Sequence, residues 1–168
     1  MTSNVLLAEQ IELAGLHLRR GQPADHDRLV ALQRAAYAIN RTMLGLEPIP
    51  LLADYRTVLA EREVWLREDD VGRLIAALVL EVRAEDLLIE SVAVDPHIQG
   101  RGLGRRLLAV AETRARANGR DCIALYTGAT LRHLIEWYGR QGFELTKLEK
   151  LEDRVIAHMS KNLSAPTV

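Results

Sequence analysis

The stretch "DPHIQGRGLGRRLL", residues 95–108, constrains the fold more than any other part of this sequence. The apolar run over 87–94 that precedes it is typical of a buried strand, and the amphipathic run that follows is typical of a helix. Pro96 ends the strand, because proline has no N–H with which to continue a ladder. The sequence therefore predicts a strand–turn–helix unit whose turn is rich in glycine and arginine.

This turn has the properties of an anion site. A helix N-terminus presents unpaired N–H groups and a partial positive charge, and glycines leave the main chain uncovered. The glycines and arginines that contribute are Gly100, Gly102, Gly104, Arg101, Arg105 and Arg106. Together they predict a site for a phosphate or a pyrophosphate.

The spacing of the glycines excludes two common phosphate motifs. The nucleoside-triphosphate loop, G-x-x-x-x-G-K-[ST], does not occur in the sequence. Gly100 and Gly102 match the first two glycines of the dinucleotide fingerprint G-x-G-x-x-G, but Arg105 occupies the third position. The pattern that fits is Q-x-x-G-x-G, with Gln99, Gly102 and Gly104.

Periodicity and turn residues predict an α/β (α+β) fold with one mixed sheet of six to seven strands flanked by about four helices. A helical crossover joins strands 87–94 and 122–126, so we expect these two to be parallel. The three strands ending at 94 should form an antiparallel meander. The predicted strands are 16–20, 63–68, 73–83, 87–94, 122–126, 143–148 and 154–159, and the predicted helices are 25–40, 51–61, 102–117 and 130–141.

The length of 168 residues suits a single domain. We place this domain at 15–162, after an N-terminal arm over 1–14 that is a short helix or loosely ordered. Residues 163–168 have the composition of a frayed tail.

Composition argues against several classes of partner. A net charge of −1 and an aromatic content of 4% disfavour nucleic-acid binding. No apolar run reaches the roughly 20 residues that a membrane span needs, and we find no signal peptide. These features predict a cytoplasmic protein with no nucleic-acid or membrane partner. Cys122 is the single cysteine, and no cluster of cysteine and histidine predicts a metal site.

Two segments resemble the GNAT superfamily of acyl-coenzyme A-dependent N-acyltransferases. "LLIESVAVDPHIQGRGLGRRLL" is similar to that family's central strand, pyrophosphate loop and helix. "LIEWYGRQGFEL" is similar to its late helix and following strand, where Tyr138 is followed by Gly142 and Phe143. The order of elements from about 16 to 160 also matches the family core, so the resemblance implies a GNAT-like acetyltransferase domain.

The resemblance implies that acetyl-coenzyme A is the co-substrate and lies between strands 87–94 and 122–126. Main-chain groups of Val92, Ala93 and Val94 would pair with its pantetheine arm, and one N–H there would polarise the thioester. Main-chain amides of the turn would hold the pyrophosphate. Those turn residues are Gln99, Gly100, Arg101, Gly102, Leu103, Gly104 and Arg105.

Two side chains are candidates for proton transfer. The family pattern implies that Tyr138 is the general acid toward the departing sulfur, although its apolar helical stripe also allows simple packing. Glu90 interrupts an apolar strand, and alternation predicts that it shares a face with Leu88 and Val92. Glu90 would take a proton from the amine through water or attract a cationic substrate; alternatively, it marks a solvent-facing edge. His158 could also reach the acceptor site.

The resemblance therefore implies transfer of an acetyl group to a primary amine of a small molecule or a peptide. Transfer would be direct, since Cys122 lies inside a strand and no other nucleophile is well placed. The alternative is a regulatory module that binds acyl-coenzyme A without catalysis. Leu131 departs from the family pattern, which often has asparagine seven residues before the tyrosine. The edge of the meander and the N-terminal arm could support a homodimer.

Overall fold

The computed structural model describes residues 9–164, which form one mixed sheet of eight strands and six α-helices. The strands are β1 (Gln10–Leu13), β2 (Leu16–Arg20), β3 (Glu63–Glu68), β4 (Leu74–Val82), β5 (Leu87–Val94), β6 (Cys122–Gly128), β7 (Glu144–Lys150) and β8 (Val155–Asn162). The helices are α1 (His26–Ala36), α2 (Ala38–Leu44), α3 (Ile49–Leu52), α4 (Tyr55–Glu61), α5 (Leu103–Ala117) and α6 (Arg132–Arg140).

The sheet order is β1-β2-β3-β4-β5-β6-β8-β7. Only β5 and β6 are parallel, and all the other neighbours among the described strands are antiparallel. The predicted α/β class, the meander β3-β4-β5 and the parallel pair are confirmed. The predicted counts are too low, because we expected six to seven strands and about four helices.

The additional strand is β1, which pairs with β2 and places Ile11 opposite Leu18. Both side chains are buried. Our prediction of a short helix or a loose arm is therefore wrong for residues 10–13, where four residues are too few for periodicity to decide. Residues 1–8 of the predicted arm lie outside the described part. β2 also pairs with β3, so the meander edge that we considered for a dimer is covered.

Two predicted helices are each divided in two. Tyr37 leaves helical geometry with a ψ of 5° and separates α1 from α2 within the predicted helix 25–40. Ala53 is extended with a ψ of 142° and separates α3 from α4 within 51–61. The Asp54 carboxylate then caps α4 by accepting the Arg56 N–H at 3.0 Å, as short polar side chains do at helix starts. The break at Tyr37 lies beside the candidate site.

The sheet is covered on both faces. One core cluster packs α5, through Leu107 and Val110, against the strands. The other packs α1 and α4, through Leu29 and Val58, against the opposite face. Leu163, placed in the predicted frayed tail, packs on the first cluster and donates its N–H to the Asp121 carbonyl at 2.7 Å. Residues 165–168 of that tail lie outside the described part.

Across residues 9–164, no helix is long and apolar enough to cross a membrane. The same residues include no group of three or more histidine, cysteine, aspartate or glutamate side chains placed to hold a metal ion.

An ion network fixes α1 on the sheet. Arg19 of β2 donates to both carboxylate oxygens of Asp25, at 2.9 and 2.8 Å, and to Glu68 of β3 at 2.8 Å. Arg28 of α1 donates to the same two carboxylates. Asp25 is buried, and its hydrogen bonds from Arg19 hold the pKa of its carboxyl well below the usual range. Because α1 leads into Tyr37, this network positions one wall of the candidate site.

Replacing Asp25 should test this anchor. Asp25→Asn removes the acceptor of two arginines at a buried position, and we expect the free energy of unfolding at neutral pH to fall by about 2 kcal/mol. A carboxyl with a lowered folded-state pKa stabilises the fold above its unfolded pKa of about 4, and this contribution is lost as the pH falls. The difference between wild type and variant should therefore shrink in acid.

The matched control is Asp27→Asn in the first turn of the same helix, where the side chain is 98% exposed. Chemical denaturation across a pH series measures both variants. Equal losses of stability in the two variants would contradict the anchoring role of Asp25.

Candidate active site

The candidate site begins where β5 and β6 separate. The two strands pair only over Leu87–Ile89 and Ile123–Leu125. Beyond that point β5 stays paired with β4 to Val94, whereas β6 stays paired with β8 to Gly128. The separation leaves an opening in the middle of the sheet, lined on one side by the unpaired edge of β5.

Main-chain groups of Val92 and Val94 face this opening. The Asp95 N–H donates to the Ile75 carbonyl at 2.9 Å, and alternate residues of an antiparallel strand face the same neighbour. Val92 and Val94 therefore direct their N–H and carbonyl groups away from β4. The Gln99 side chain agrees with this direction, since its Nε2 donates to the Val94 carbonyl at 3.0 Å.

Ala93 does not join them. Its main chain faces β4 in the same alternation, and its side chain lies in the core cluster under α1. Our prediction that Val92, Ala93 and Val94 all offer main-chain groups is therefore wrong for Ala93. The two positions whose main-chain groups face the opening, Val92 and Val94, are thus separated by one residue that faces β4.

A β-bulge reorients the strand at Glu90. The register between β4 and β5 shifts by one residue there, so Glu90 has no direct partner on β4. As a result Ile89 and Val92, three residues apart, both pack on the α5 side of the sheet. Our prediction that Leu88, Glu90 and Val92 share one face is wrong, because the bulge breaks the alternation.

The glycine turn is open and its amides are available. Gly100 and Gly102 have φ values of +80° and +79°, in the left-handed region that glycine adopts without strain. Gly102 is the N-cap of α5, and its carbonyl accepts the first helical bond from Arg106 N–H. The amides of Leu103, Gly104 and Arg105 therefore precede the helical ladder. Apart from Gly100 itself and its two chain neighbours, no described residue has an atom within 4 Å of where a Gly100 Cβ would be.

Only one of the three arginines serves this opening. Arg105 lines it. Arg101 is exposed and does not line the opening. Arg106 instead donates to the carbonyls of Ala14 and Gly15, the turn between β1 and β2, with an Nε–oxygen distance of 2.9 Å to Ala14. Our prediction that all three contribute positive charge to the anion site is therefore wrong for Arg106.

Two cavities meet at the opening. The first, which we call the cleft, has a volume of about 810 Å³ and runs from the glycine turn along α6. The second, the inner cavity, has a volume of about 200 Å³ and lies beneath α2 and α3. The residues that line both are Tyr37, Asn40, Val92, Leu134 and Tyr138. Any group transferred from one cavity to the other would pass between these side chains.

Tyr138 places a phenol hydroxyl at this junction. It lies on α6, with ring centroids 4.9 Å from Trp137 and 5.8 Å from Phe143. Its hydroxyl makes no hydrogen bond with the described residues. Burial raises the pKa of the Tyr138 phenol, so the proton stays on the oxygen at neutral pH.

Glu90 lines the inner cavity but is not free. Its carboxylate accepts the Arg62 Nε–H at 2.5 Å, and only 18% of its side chain is exposed. The Arg62 guanidinium also lies 3.7 Å from Glu81. Glu90 is therefore a charged residue in the wall of the inner cavity, paired with an arginine that also lies beside Glu61 and Glu81.

Tyr37 is a residue that our sequence reasoning missed. Its hydroxyl lies 3.1 Å from Ser91 Oγ and 3.4 Å from the Val92 carbonyl oxygen. Ser91 in turn donates to Gln33 Oε1 at 2.9 Å. Burial raises the pKa of the Tyr37 phenol. The signal in the sequence was weak, because Tyr37 lies near the end of one predicted amphipathic helix. The sequence did not indicate the helix break at Tyr37 that directs its hydroxyl toward Ser91.

Other candidates fall outside the junction. His158 bonds to Glu149 at 2.7 Å and does not line either cavity. Cys122 starts β6 away from both, and burial raises the pKa of its thiol. His133 and Arg140, which we did not select, line the cleft from α6.

Residues 29–143 match the sequence model of the Acetyltransferase (GNAT) family, well over half of the chain. The chain belongs to the GNAT family. A mycothiol acetyltransferase of Propionibacterium freudenreichii subsp. shermanii is 26% identical over 144 residues, covering 80% of this chain and 45% of that protein. The chain spans less than half the length of the curated relatives it matches.

Solved GNAT structures share the fold. The PaiA N-acetyltransferase of Thermoplasma acidophilum, solved with coenzyme A, superposes with a TM-score of 0.68 at 16% identity and covers 86% of this chain and 97% of that one. The ribosomal-protein-S18-alanine N-acetyltransferase of Escherichia coli has the same TM-score and identity, with 89% and 94% covered. At this identity the likeness concerns the fold alone.

The tyrosines offer a test of the burial of this GNAT site. Burial raises the pKa of all four, namely Tyr37, Tyr55, Tyr126 and Tyr138. We expect less tyrosinate absorbance in the native protein than in the unfolded chain at about pH 10, where phenols of an unfolded chain are half ionised. The same titration in denaturant is the control. Equal tyrosinate absorbance of the native and the denatured protein at about pH 10 would contradict the burial of these tyrosines.

Proposed function

We propose that this chain transfers an acetyl group from acetyl-coenzyme A to a primary amine of a small molecule or a peptide. One observation carries the proposal: Val92 and Val94, whose N–H groups face away from β4, line one continuous cleft with the open glycine turn and Tyr138. Such a cleft suits a long ligand with an anionic end and a reactive end. Membership of the GNAT family supports the same reaction class.

The residues present fit coenzyme A. The amides from Gly100 to Arg105 and the Arg105 guanidinium would hold its diphosphate, because an uncovered helix N-terminus binds anions. The N–H groups of Val92 and Val94 would pair with its pantetheine arm, as an added strand would. When bound, acetyl-coenzyme A supplies an activated thioester.

Chemistry would take place at the junction of the two cavities. The amine nitrogen forms a bond to the acetyl carbon, the carbon–sulfur bond breaks, and the sulfur leaves as a thiolate that needs a proton. Tyr138 holds a proton at neutral pH and would donate it. A β5 N–H at the opening would stabilise negative charge on the carbonyl oxygen.

The amine must lose a proton before it attacks. Glu90 in the wall of the inner cavity would accept this proton through water or attract the protonated amine. Direct transfer is favoured because Cys122 lies away from both cavities and its thiol is held protonated. A cytoplasmic location and a homodimer stay predictions.

The anion site can be tested at Gly100. Gly100→Asp places a negative charge beside the proposed diphosphate position, and aspartate tolerates the left-handed conformation better than most residues. We expect the Kd for coenzyme A to rise at least about tenfold, as loss of one favourable charged contact would produce. Isothermal titration calorimetry measures the change.

Gly72→Asp is the matched control. Gly72 has a φ of +81° in the turn between β3 and β4, and a Cβ added there would also have no described atom within 4 Å. Both variants place an aspartate at a position of positive φ and add one negative charge, but only Gly100 lies in the glycine turn. Equal loss of affinity in both, or none in Gly100→Asp, would contradict the anion site.

Catalysis can be separated from binding at Tyr138. Tyr138→Phe removes the proton donor and keeps the ring, so kcat should fall about 100-fold while the Kd for acetyl-coenzyme A stays within error. Release of free thiol in the presence of amines measures kcat. An unchanged kcat would overturn the general-acid role. Binding of acetyl-coenzyme A without thiol release from any amine in wild type would point to a regulatory module instead.

A further inference from the structure

If the proposed acetyl transfer holds, the lining of the inner cavity restricts the shape and charge of the acceptor amine, which the sequence left open. Its mouth is the junction where Tyr37 and Tyr138 face the cleft. The reacting nitrogen must reach this mouth, since the thioester arrives from the cleft. The rest of the acceptor must then lie deeper in the inner cavity or leave it.

The walls of the inner cavity are largely apolar. α2, α3 and the segment between them cover it, while β6, β8 and the start of α6 form its floor. The wall side chains include Leu44, Leu46, Ile49, Leu125, Leu131 and Ile156. A body of carbon atoms would be stabilised there by removal from water, whereas a second ammonium group would lose hydration without a replacement.

The carboxylates of the cavity do not offset this cost. Glu90 accepts the Arg62 Nε–H, and the same guanidinium lies 3.7 Å from both Glu61 and Glu81. Asp153 is balanced by Arg154, with an oxygen–nitrogen distance of 2.9 Å, and Arg154 also donates to the Glu47 carbonyl at 2.8 Å. Each carboxylate in the described wall thus has an arginine beside it. A second ammonium group would have to compete with these guanidinium groups for the carboxylate oxygens.

Tyr37 supplies an acceptor for the nitrogen at the mouth. The Tyr37 hydroxyl donates to the Val92 carbonyl at 3.4 Å and lies 3.1 Å from Ser91 Oγ, whose own proton goes to Gln33. The lone pairs of the Tyr37 oxygen are then left for an N–H from outside. Tyr138 keeps its proton for the sulfur, whereas the Tyr37 oxygen accepts from the amine. One hydroxyl at the junction therefore donates and the other accepts.

We infer that the acceptor is a compact primary amine with one positive charge on an apolar body. Its nitrogen donates to Tyr37 at the mouth, and its apolar body lies between α3 and the floor of the inner cavity. Polyamines and aminoglycosides, which carry several ammonium groups, are poor acceptors.

A matched pair of amines tests the inference. Hexylamine and hexamethylenediamine have the same chain length, and the second replaces a terminal methyl group with an ammonium group. With acetyl-coenzyme A and the wild-type chain, kcat/KM from thiol release should be at least about tenfold higher for hexylamine. A diamine that is equal or better overturns the inference and leaves the acetyl transfer intact. No thiol release from any amine overturns both.

A wall variant should reverse the preference. Ile49→Asp places a carboxylate in the wall of the inner cavity, so the ratio of kcat/KM should shift at least about tenfold toward the diamine. Leu52→Asp is the control on the same short helix, because Leu52 is 62% exposed and does not line this cavity. A shift of equal size in both variants would overturn the assignment of the apolar body to this cavity.

Discussion

The candidate site depends on the facing edges of β5 and β6, which the sheet leaves without hydrogen-bond partners where the two strands separate. Buried N–H and carbonyl groups nearly always have partners, and a sheet normally supplies them. Here β5 and β6 separate after three paired residues, and the N–H groups of Val92 and Val94 face the opening. The glycine turn continues this row of donors to the start of α5. An extended ligand that carries hydrogen-bond acceptors along its length would pair with the N–H groups of β5 and with those of the glycine turn.

The two faces of the sheet contribute different parts of the site. On one face α5 brings the open helix start, where Gly104 leaves the Trp137 ring only 3.5 Å from the place a Cβ would occupy. On the other face the network around Asp25 holds α1, and the break at Tyr37 turns a hydroxyl toward Val92. The proposed reaction centre lies where these two contributions meet, through the opening in the sheet.

Much of the frame could be predicted because it depends on local pattern. The bounds of β3 and β5 agree with the predicted strands 63–68 and 87–94, since turn residues flank both. The anion turn followed from glycines at a strand–helix boundary. The bulge at Glu90 could not be predicted, because it depends on register with β4. Arg106 was misassigned for a similar reason: its partner Ala14 is 92 residues away in sequence. The role of Tyr37 could not be predicted either, because it depends on the end of α1 at this residue and on the contact of its hydroxyl with Ser91.

Amide hydrogen exchange tests the central claim most directly. With the free protein, the N–H groups of Val92, Val94 and Leu103 should exchange faster than the Ala93 N–H, which pairs with β4. Saturating acetyl-coenzyme A should slow exchange at the first three positions and leave Ala93 as it was. If those three amides are already protected in the free protein, or if the ligand leaves their exchange unchanged, the opening is not the site of the thioester carrier.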